Sequence, residues 1–177
     1  PGTRWASVAF SPDGRWVATP CHDTSIIVWE IGSPLRRATL TNHEAFVTAV
    51  AFSPDGQWLA SVSVDTTLIL WRFEGRTGSV QHWRTLADHQ DVVTAVAFHP
   101  QYPWLVTGSA DTTVILWEFG DRTVTRKYTF AEHDNAVTSV AFSSRGRWLA
   151  TGGEDAKTIL WDLPYWKNFS TPIRHAT

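Results

Sequence analysis

Short apolar segments recur along the chain and are separated by polar turns. VTAVAF (47–52), WLASVS (58–63) and TLILW (67–71) are rich in β-branched and aromatic residues, a composition that is typical of strands. The first two flank the turn SPDG (53–56), and the same four residues stand at 11–14. Proline, aspartate and glycine in this order favour a tight reversal of the chain. We therefore predict strands joined by short turns, with no helical periodicity between them.

A tryptophan recurs with a period of about forty-four residues. It is preceded by a phenylalanine at 19 residues, a hydroxyl residue at ten and an aspartate at six, and in the last three repeats by a histidine at 28. Except for the phenylalanines, these residues are Thr19, Asp23, Trp29; His43, Ser61, Asp65, Trp71; His89, Thr107, Asp111, Trp117; and His133, Thr151, Asp155, Trp161. Only the loop between each tryptophan and the next histidine varies in length, which indicates a repeat architecture.

Four strands are predicted in each period. The fourth follows the variable loop, at RRATLT (36–41), HWRTLA (82–87) and RKYTFA (126–131). The strand that ends in the tryptophan is apolar on both faces, so both faces of its sheet must be covered. Repeated four-stranded sheets that cover one another form a propeller. We predict an all-β propeller segment of four blades, each of four antiparallel strands, at 1–41, 42–87, 88–131 and 132–177.

These motifs resemble the WD-repeat β-propeller family over essentially the whole chain. The family pattern joins a histidine before the first strand, SPDG, a hydroxyl residue, an aspartate turn and a final Trp-Asp pair. The literal Trp-Asp pair stands only at Trp161-Asp162. In the three repeats that contain the histidine, another residue replaces the glycine that usually precedes it. The regular AFSPDG phrasing is similar to that of bacterial proteins with many such repeats.

Composition narrows the classes of partner and site. A net charge of −2 and a pI near 6.4 argue against nucleic acid as the main partner. A single cysteine excludes an internal disulfide and favours a reducing compartment, so we expect a cytoplasmic protein. We predict no membrane span, no metal site and no cofactor, because the chain has no long apolar run, no metal-spaced Cys/His cluster and no glycine-rich phosphate loop.

The repeated histidine, hydroxyl and aspartate set allows two interpretations. One is a hydrolase that uses a nucleophile, a base and an orienting acid. The other is structural, and we favour it because a catalytic set occurs once whereas this one recurs in every repeat. The resemblance implies a hydrogen-bond chain in which the tryptophan donates to the hydroxyl, the hydroxyl meets the histidine and the histidine meets the aspartate. We therefore predict no enzyme activity and no catalytic residue.

The resemblance also implies a surface for partners around the channel entrance. Family members generally bind proteins or peptides there, through three positions in each blade. In this chain these positions are Arg4, Ala6, His22; Phe46, Thr48, Val64; Val92, Thr94, Ala110; and Ala136, Thr138, Glu154. We expect an apolar to neutral docking surface for a protein or peptide, with the alternative that some of these side chains only fill the channel mouth.

The repeats suggest how the molecule is assembled. The chain begins at the histidine slot of one repeat, which holds Pro1, and stops in a fourth strand, so it spans about four periods. Because the family prefers seven or eight blades, we predict a twofold homodimer that closes an eight-bladed ring. A closed four-bladed ring is one alternative. Another is that the segment, which lacks methionine, is excised or engineered from a longer array, such as the sensor end of a bacterial signalling protein, and has no independent function.

Overall fold

Sixteen strands are present in a computed structural model that describes residues 7–33, 36–120, 122–163 and 173–176. In chain order they are β1 Ala9–Phe10, β2 Trp16–Pro20, β3 Ile26–Glu30, β4 Arg36–Leu40, β5 Val47–Phe52, β6 Trp58–Ser63, β7 Leu68–Glu74, β8 Ser79–Leu86, β9 Val93–Phe98, β10 Trp104–Ser109, β11 Val114–Phe119, β12 Val124–Phe130, β13 Val137–Phe142, β14 Trp148–Gly153, β15 Thr158–Asp162 and β16 Ile173–Ala176. The predicted strands at 47–52 and 58–63 coincide with β5 and β6.

Each set of four consecutive strands forms one antiparallel sheet in chain order. The sheets are β1 to β4, β5 to β8, β9 to β12 and β13 to β16, and we call them blades 1 to 4. Within a blade the register is regular, with Ser61 opposite Ile69 and Thr107 opposite Ile115. The prediction of an all-β fold with four sheets of antiparallel strands is confirmed.

The SPDG turn is fixed by its own side chains. In blade 2 the hydroxyl of Ser53 donates to Asp55 Oδ1 at 2.5 Å and accepts from the N–H of Trp58 at 2.9 Å. Gly56 follows with φ +66, a left-handed conformation that costs glycine little. The first two strands of the blade therefore meet at a turn with almost no freedom.

The turn after the aspartate has a less expected conformation. In every blade its second residue has a positive φ, although none is a glycine. These residues are Thr24 at 72°, Thr66 at 69°, Thr112 at 71° and Ala156 at 59°. A β-branched residue in this region is strained, so blades 1 to 3, which have threonine at this position, store a small amount of backbone strain beside their aspartates.

The hydrophobic core is divided into three clusters, one between each pair of consecutive blades. The tryptophan at the start of the second strand projects from one blade onto the next. Trp16 meets Phe73 edge-on at 5.9 Å between ring centroids, and Trp58 meets Phe119 at 5.6 Å. Trp104 shares the third cluster with Leu163, the residue of blade 4 in the same position. At each junction, the tryptophan face of one blade thus packs on the face of the next blade that carries Phe73, Phe119 or Leu163.

The four blades form an open row. Among the described residues, strand packing joins blade 1 to blade 2, blade 2 to blade 3 and blade 3 to blade 4, and the sheets do not close on themselves. The alternative of a closed four-bladed ring therefore does not describe this chain.

Candidate functional site

Most of the predicted site residues that the structure describes lie in the loops along one edge of the blades. In blade 2, Val47 pairs with Ser63 and Leu68 with Leu86, so the loops before β5 and after β6 lie at the same end of the sheet. The other blades have the same topology. We call this edge the loop face. Its described segments are 21–25, 41–46, 64–67, 87–92, 110–113, 131–136 and 154–157.

Four side chains of blade 2 form a continuous hydrogen-bond chain. The indole N–H of Trp71 donates to Ser61 Oγ at 2.9 Å, and Ser61 Oγ lies 2.8 Å from His43 Nε2. The other ring nitrogen, His43 Nδ1, lies 2.8 Å from Asp65 Oδ2. An indole N–H can only donate, so the serine hydroxyl donates to Nε2 and the protonated Nδ1 donates to the carboxylate.

The same chain is present in blades 3 and 4. The tryptophan to threonine distances are 3.0 Å for Trp117 and Thr107 and 3.1 Å for Trp161 and Thr151. The threonine to histidine distances are both 2.8 Å, to His89 and His133. The histidine to aspartate distances are 2.8 Å to Asp111 Oδ2 and 3.0 Å to Asp155 Oδ2. The chain ties the loop before the first strand to the second and third strands in blades 2, 3 and 4.

A further hydroxyl residue, which the sequence analysis missed, completes the aspartate turn. Thr67 donates to Asp65 Oδ1 from its hydroxyl at 2.6 Å and from its backbone N–H at 3.0 Å. Thr113 does the same for Asp111, and Ser25 does so for Asp23. The signal was available in the sequence as a serine or threonine two residues after the aspartate. It is lost in blade 4, where Lys157 stands at this position.

Burial and hydrogen bonds set the protonation states of these groups. Burial lowers the pKa of His43 and of His89 despite the neighbouring aspartates, so both rings are neutral near pH 7. Burial raises the pKa of Asp65, but hydrogen bonds from Thr67, His43 and Glu44 outweigh it and hold that pKa below its usual value. Asp111 behaves in the same way. Each pair is therefore a neutral imidazole beside a carboxylate.

The hydroxyl in the middle of the chain is closed to a substrate. Ser61 and Thr107 are 0% exposed and Thr151 is 1% exposed. The tryptophan donates to each of these oxygens, and the histidine accepts from it. A nucleophile must reach the reacting atom of its substrate, so this arrangement serves as internal hydrogen bonding rather than as an acyl-transfer site.

Blade 1 has a shorter version of the chain. Trp29 Nε1 donates to Thr19 Oγ1 at 3.2 Å, and this hydroxyl lies 3.4 Å from the carbonyl of Ile27. Asp23 Oδ1 accepts from the hydroxyl of Ser25 at 2.5 Å. The histidine slot at Pro1 lies outside the described residues.

Comparison with protein-family models shows one match that recurs along the chain. The model of the WD domain, G-beta repeat, matches residues 5–30, 35–72, 80–118 and 124–162. The chain belongs to the WD40 family. Each match ends one residue after the repeated tryptophan, so the WD40 sequence repeat is offset by one strand from the structural blade. WD40 repeats build protein-interaction domains. A comparison with curated proteins gave no match.

Two of the positions predicted to contact a partner form hydrogen bonds within the protein. The hydroxyl of Thr48 lies 2.5 Å from the carbonyl of Val93 in the next blade, and that of Thr94 lies 2.5 Å from the carbonyl of Val137. These threonines join the innermost strands of neighbouring blades. The hydroxyl of Thr138 in blade 4 is exposed and bonds its own blade, at Gly152.

The remaining described positions surround the inner ends of the loop face. Phe46, Val64, Val92, Ala110 and Ala136 are each partly exposed. Glu154 and His22 are exposed, and the His22 ring lies 5.7 Å from that of Phe46 across the junction of blades 1 and 2. Arg4 and Ala6 lie outside the described residues.

The innermost strands line a groove of about 360 Å³ below this surface. Small side chains form its walls, among them Ser7, Ala49, Ala95 and Ser139 together with the three threonines. Two further cavities lie at the opposite edge, between the first turns of blades 1 and 2 and of blades 2 and 3. Among the residues that the structure describes, no group of three or more His, Cys, Asp or Glu could hold a metal ion, and no helix is long and apolar enough to cross a membrane.

Proposed function

We propose that the chain is a non-enzymatic interaction scaffold that completes its propeller by pairing with a second copy of itself. The observation that carries this proposal is the exposure of apolar residues on the first blade. Phe10 is 64% exposed, Val8 is 58% exposed and Ile31 is 49% exposed. Monomeric proteins seldom leave a contiguous apolar surface of this kind in water.

The same positions are less exposed wherever a preceding blade covers them. Val50 and Phe73 occupy in blade 2 the positions of Val8 and Ile31, and each is only 4% exposed. The difference is supplied by the neighbour, because Phe73 lies against Trp16 of blade 1. The first blade therefore has the side chains of an inter-blade interface without the preceding blade.

The last blade carries the complementary surface. Trp148, Ala150 and Leu160 are partly exposed, whereas Trp58 and Leu70 in the same positions are 4% and 0% exposed. In the interior of the row this tryptophan face always packs on the face to which Phe73 and Phe119 belong. The last blade of one copy thus fits the first blade of another. Two such junctions related by a twofold axis give eight blades, a number within the known range for propellers.

The molecular mass in solution tests this assembly. At micromolar concentration, light scattering should give twice the 19.9 kDa of the chain. Phe10→Asp places a charge in the proposed junction and should yield a monomer. Gln81→Asp, on the exposed strand β8, changes the charge outside the junction and should leave the dimer intact.

A 19.9 kDa monomer for the unaltered chain would contradict the homodimer. It would favour the second candidate, in which further repeats of a longer chain cover the same two faces. A dimer that persists equally in both variants would place the contact elsewhere.

A further inference from the structure

The charges of the molecule are distributed very unevenly between its two edges. The described segments of the loop face contain ten of the seventeen acidic residues of the chain but only one of its fifteen basic residues, Lys157. The acidic residues are Asp23, Glu44, Asp65, Asp88, Asp91, Asp111, Glu132, Asp134, Glu154 and Asp155. Seven of the ten belong to the loops of blades 3 and 4. The net charge of −2 conceals this polarity.

The hydrogen-bond chains inside the blades do not neutralise this charge. The rings of His43 and His89 stay neutral because burial lowers their pKa, so Asp65 and Asp111 keep a full negative charge. Cations of the described residues pair with two other acids, Lys157 with Asp134 and Arg126 with Asp88 at 3.7 Å.

Three further acids of the loop face, outside the aspartates of the hydrogen-bond chains, have no cationic partner among the described residues. Glu44 and Glu154 are exposed and make no ion pair with a described residue, and Asp91 is exposed and accepts the N–H of Val92 at 2.7 Å. Glu44 and Asp91 stand at the rim of blades 2 and 3, whereas Glu154 stands in blade 4 at the inner position that Val64 and Ala110 occupy in blades 2 and 3. A rim of one sign raises the local concentration of oppositely charged groups and accelerates their association.

Apart from Glu154, the centre of the same face holds no Asp, Glu, Lys or Arg among the described residues. Phe46, Val64, Val92, Ala110 and Ala136 are partly exposed there, above the groove lined by the three threonines. An interface with an apolar centre and a polar rim is the usual arrangement in protein complexes, and a partly exposed aromatic ring such as that of Phe46 is a typical anchor.

We propose that the loop face binds a basic peptide segment of a protein partner, with Lys or Arg side chains over the acidic rim and over Glu154, and with an apolar side chain at the centre near Phe46. This inference rests on the proposed role as an interaction scaffold and names the charge class of the partner. A cationic segment fits because it meets unpaired carboxylates in blades 2 to 4, whereas an anionic one would meet repulsion at each of them.

Three synthetic twelve-residue peptides test this charge preference. All contain one central leucine, and they differ only in four flanking positions, which are Lys, Gln or Glu. Fluorescence anisotropy with labelled peptides should show the Lys peptide binding at least tenfold more tightly than the Gln peptide at 50 mM NaCl. Affinity for the Lys peptide should fall at least threefold at 300 mM NaCl, since salt screens exposed charges.

Two charge-matched triple variants locate the site. Glu44→Gln, Asp91→Asn and Glu154→Gln together should weaken binding of the Lys peptide at least tenfold. Glu30→Gln, Glu74→Gln and Glu118→Gln change the net charge by the same amount at the opposite ends of the strands, and should leave binding within twofold. The melting temperature of each variant shows whether it folds.

Equal weakening in both variants, equal binding of the Lys and Gln peptides, or no binding of the Lys peptide would each overturn the basic-peptide proposal. The scaffold proposal fails separately. If the Gln peptide binds as well as the Lys peptide and Phe46→Ala abolishes that binding, the face is a docking surface without a charge preference. The assembly is judged by its own mass measurement.

Discussion

Each histidine of the repeated tryptophan–hydroxyl–histidine–aspartate chain is held by a donor and an acceptor that belong to its own blade. In blade 3, His89 accepts from Thr107, which in turn accepts from Trp117, and all three side chains are at most 4% exposed. A buried polar group without a partner costs more free energy than a satisfied one gains. Every link of the chain therefore stabilises the blade by keeping the other links satisfied.

Removing the central hydroxyl should expose this dependence. Thr107→Val keeps the shape of the side chain but leaves the indole N–H and the imidazole nitrogen buried without a partner. We expect a loss of about 1–3 kcal/mol in the free energy of unfolding, measured by urea denaturation. Thr19→Val in blade 1 is the matched control and should cost less, because Thr19 and Trp29 are partly exposed and water can replace the bond.

The histidines also predict how stability depends on pH. Their pKa values in the folded state lie below the ordinary 6.5 for His43, His89 and His99, so below that pH the unfolded chain binds more protons than the folded one. The contribution of these histidines to the free energy of unfolding is therefore fully present above about pH 6.5 and is lost as the pH decreases.

A second loss should begin near pH 4. The pKa values of Asp65 and Asp111 are held below 3.8 and that of Asp155 is lowered to about 2, so protonation of these carboxylates favours the unfolded chain. Urea denaturation between pH 7.5 and 3 measures both losses. The double variant His43→Gln and His89→Gln should reduce the first loss to the part that His99 contributes, and a second loss should remain near pH 4 because Asp155 is unaffected. If the free energy of unfolding of this variant falls between pH 6.5 and 5 as steeply as that of the unaltered chain, groups other than these histidines control the first loss.

At the scale of the strands and turns, the sequence predicts most where a feature is local and repeated. The strands of blade 2 follow from β-branched runs between SPDG turns, and their bounds agree with the structure to within a few residues. The turn at 99–103 is different. HPQY (99–102) stands in the place of SPDG, and Tyr102 occupies the position where the other turns have glycine.

His99 explains why this turn could not be predicted. Its Nδ1 accepts the backbone N–H groups of Gln101 and Tyr102, both at 3.0 Å, and its Nε2 donates to the carbonyl of Gly146 at 3.1 Å. A Cβ atom at Gly146 would lie only 2.1 Å from that nitrogen. The histidine is placed by a residue of the next blade, and no pattern within a single repeat reports that contact.

The tryptophan that joins blades 1 and 2 needs a similar gap. A Cβ atom at Gly78 would lie 2.2 Å from the ring of Trp16, whose N–H donates to the carbonyl of Gly75 at 2.7 Å. Gly78→Ala should therefore destabilise the protein by about 2 kcal/mol or more, through the clash and through its φ of +71. Gly32→Ala has the same backbone strain at φ +80 but no atom within 4 Å, and should cost about 1 kcal/mol. Thermal melting of both variants separates the clash from the strain. Equal losses of stability in the two variants would contradict a role for the close packing of Trp16 against Gly78.

For the whole molecule, the sequence indicated neighbouring sheets that cover one another, and the structure places this covering in three clusters for four blades. Because each cluster joins two consecutive blades, one face of blade 1 and one face of blade 4 belong to no cluster. What covers these faces could not be predicted from the repeats, because consecutive repeats of one chain and repeats of two chains make the same contacts. Closure by a second chain depends on protein concentration, whereas closure by further repeats of the same chain does not, and the two have the same local structure.

Concentration is therefore the variable that distinguishes them. If two copies close the ring, folding is coupled to association and the melting temperature must rise with protein concentration. We expect an increase of several degrees between 1 and 100 μM for the unaltered chain, measured by differential scanning calorimetry. Phe10→Asp should melt at a lower temperature that does not change over this range, because its first blade cannot join the last blade of another copy. A melting temperature that is independent of concentration in both proteins would contradict the dimer, and a parallel rise in both would move the contact away from Phe10.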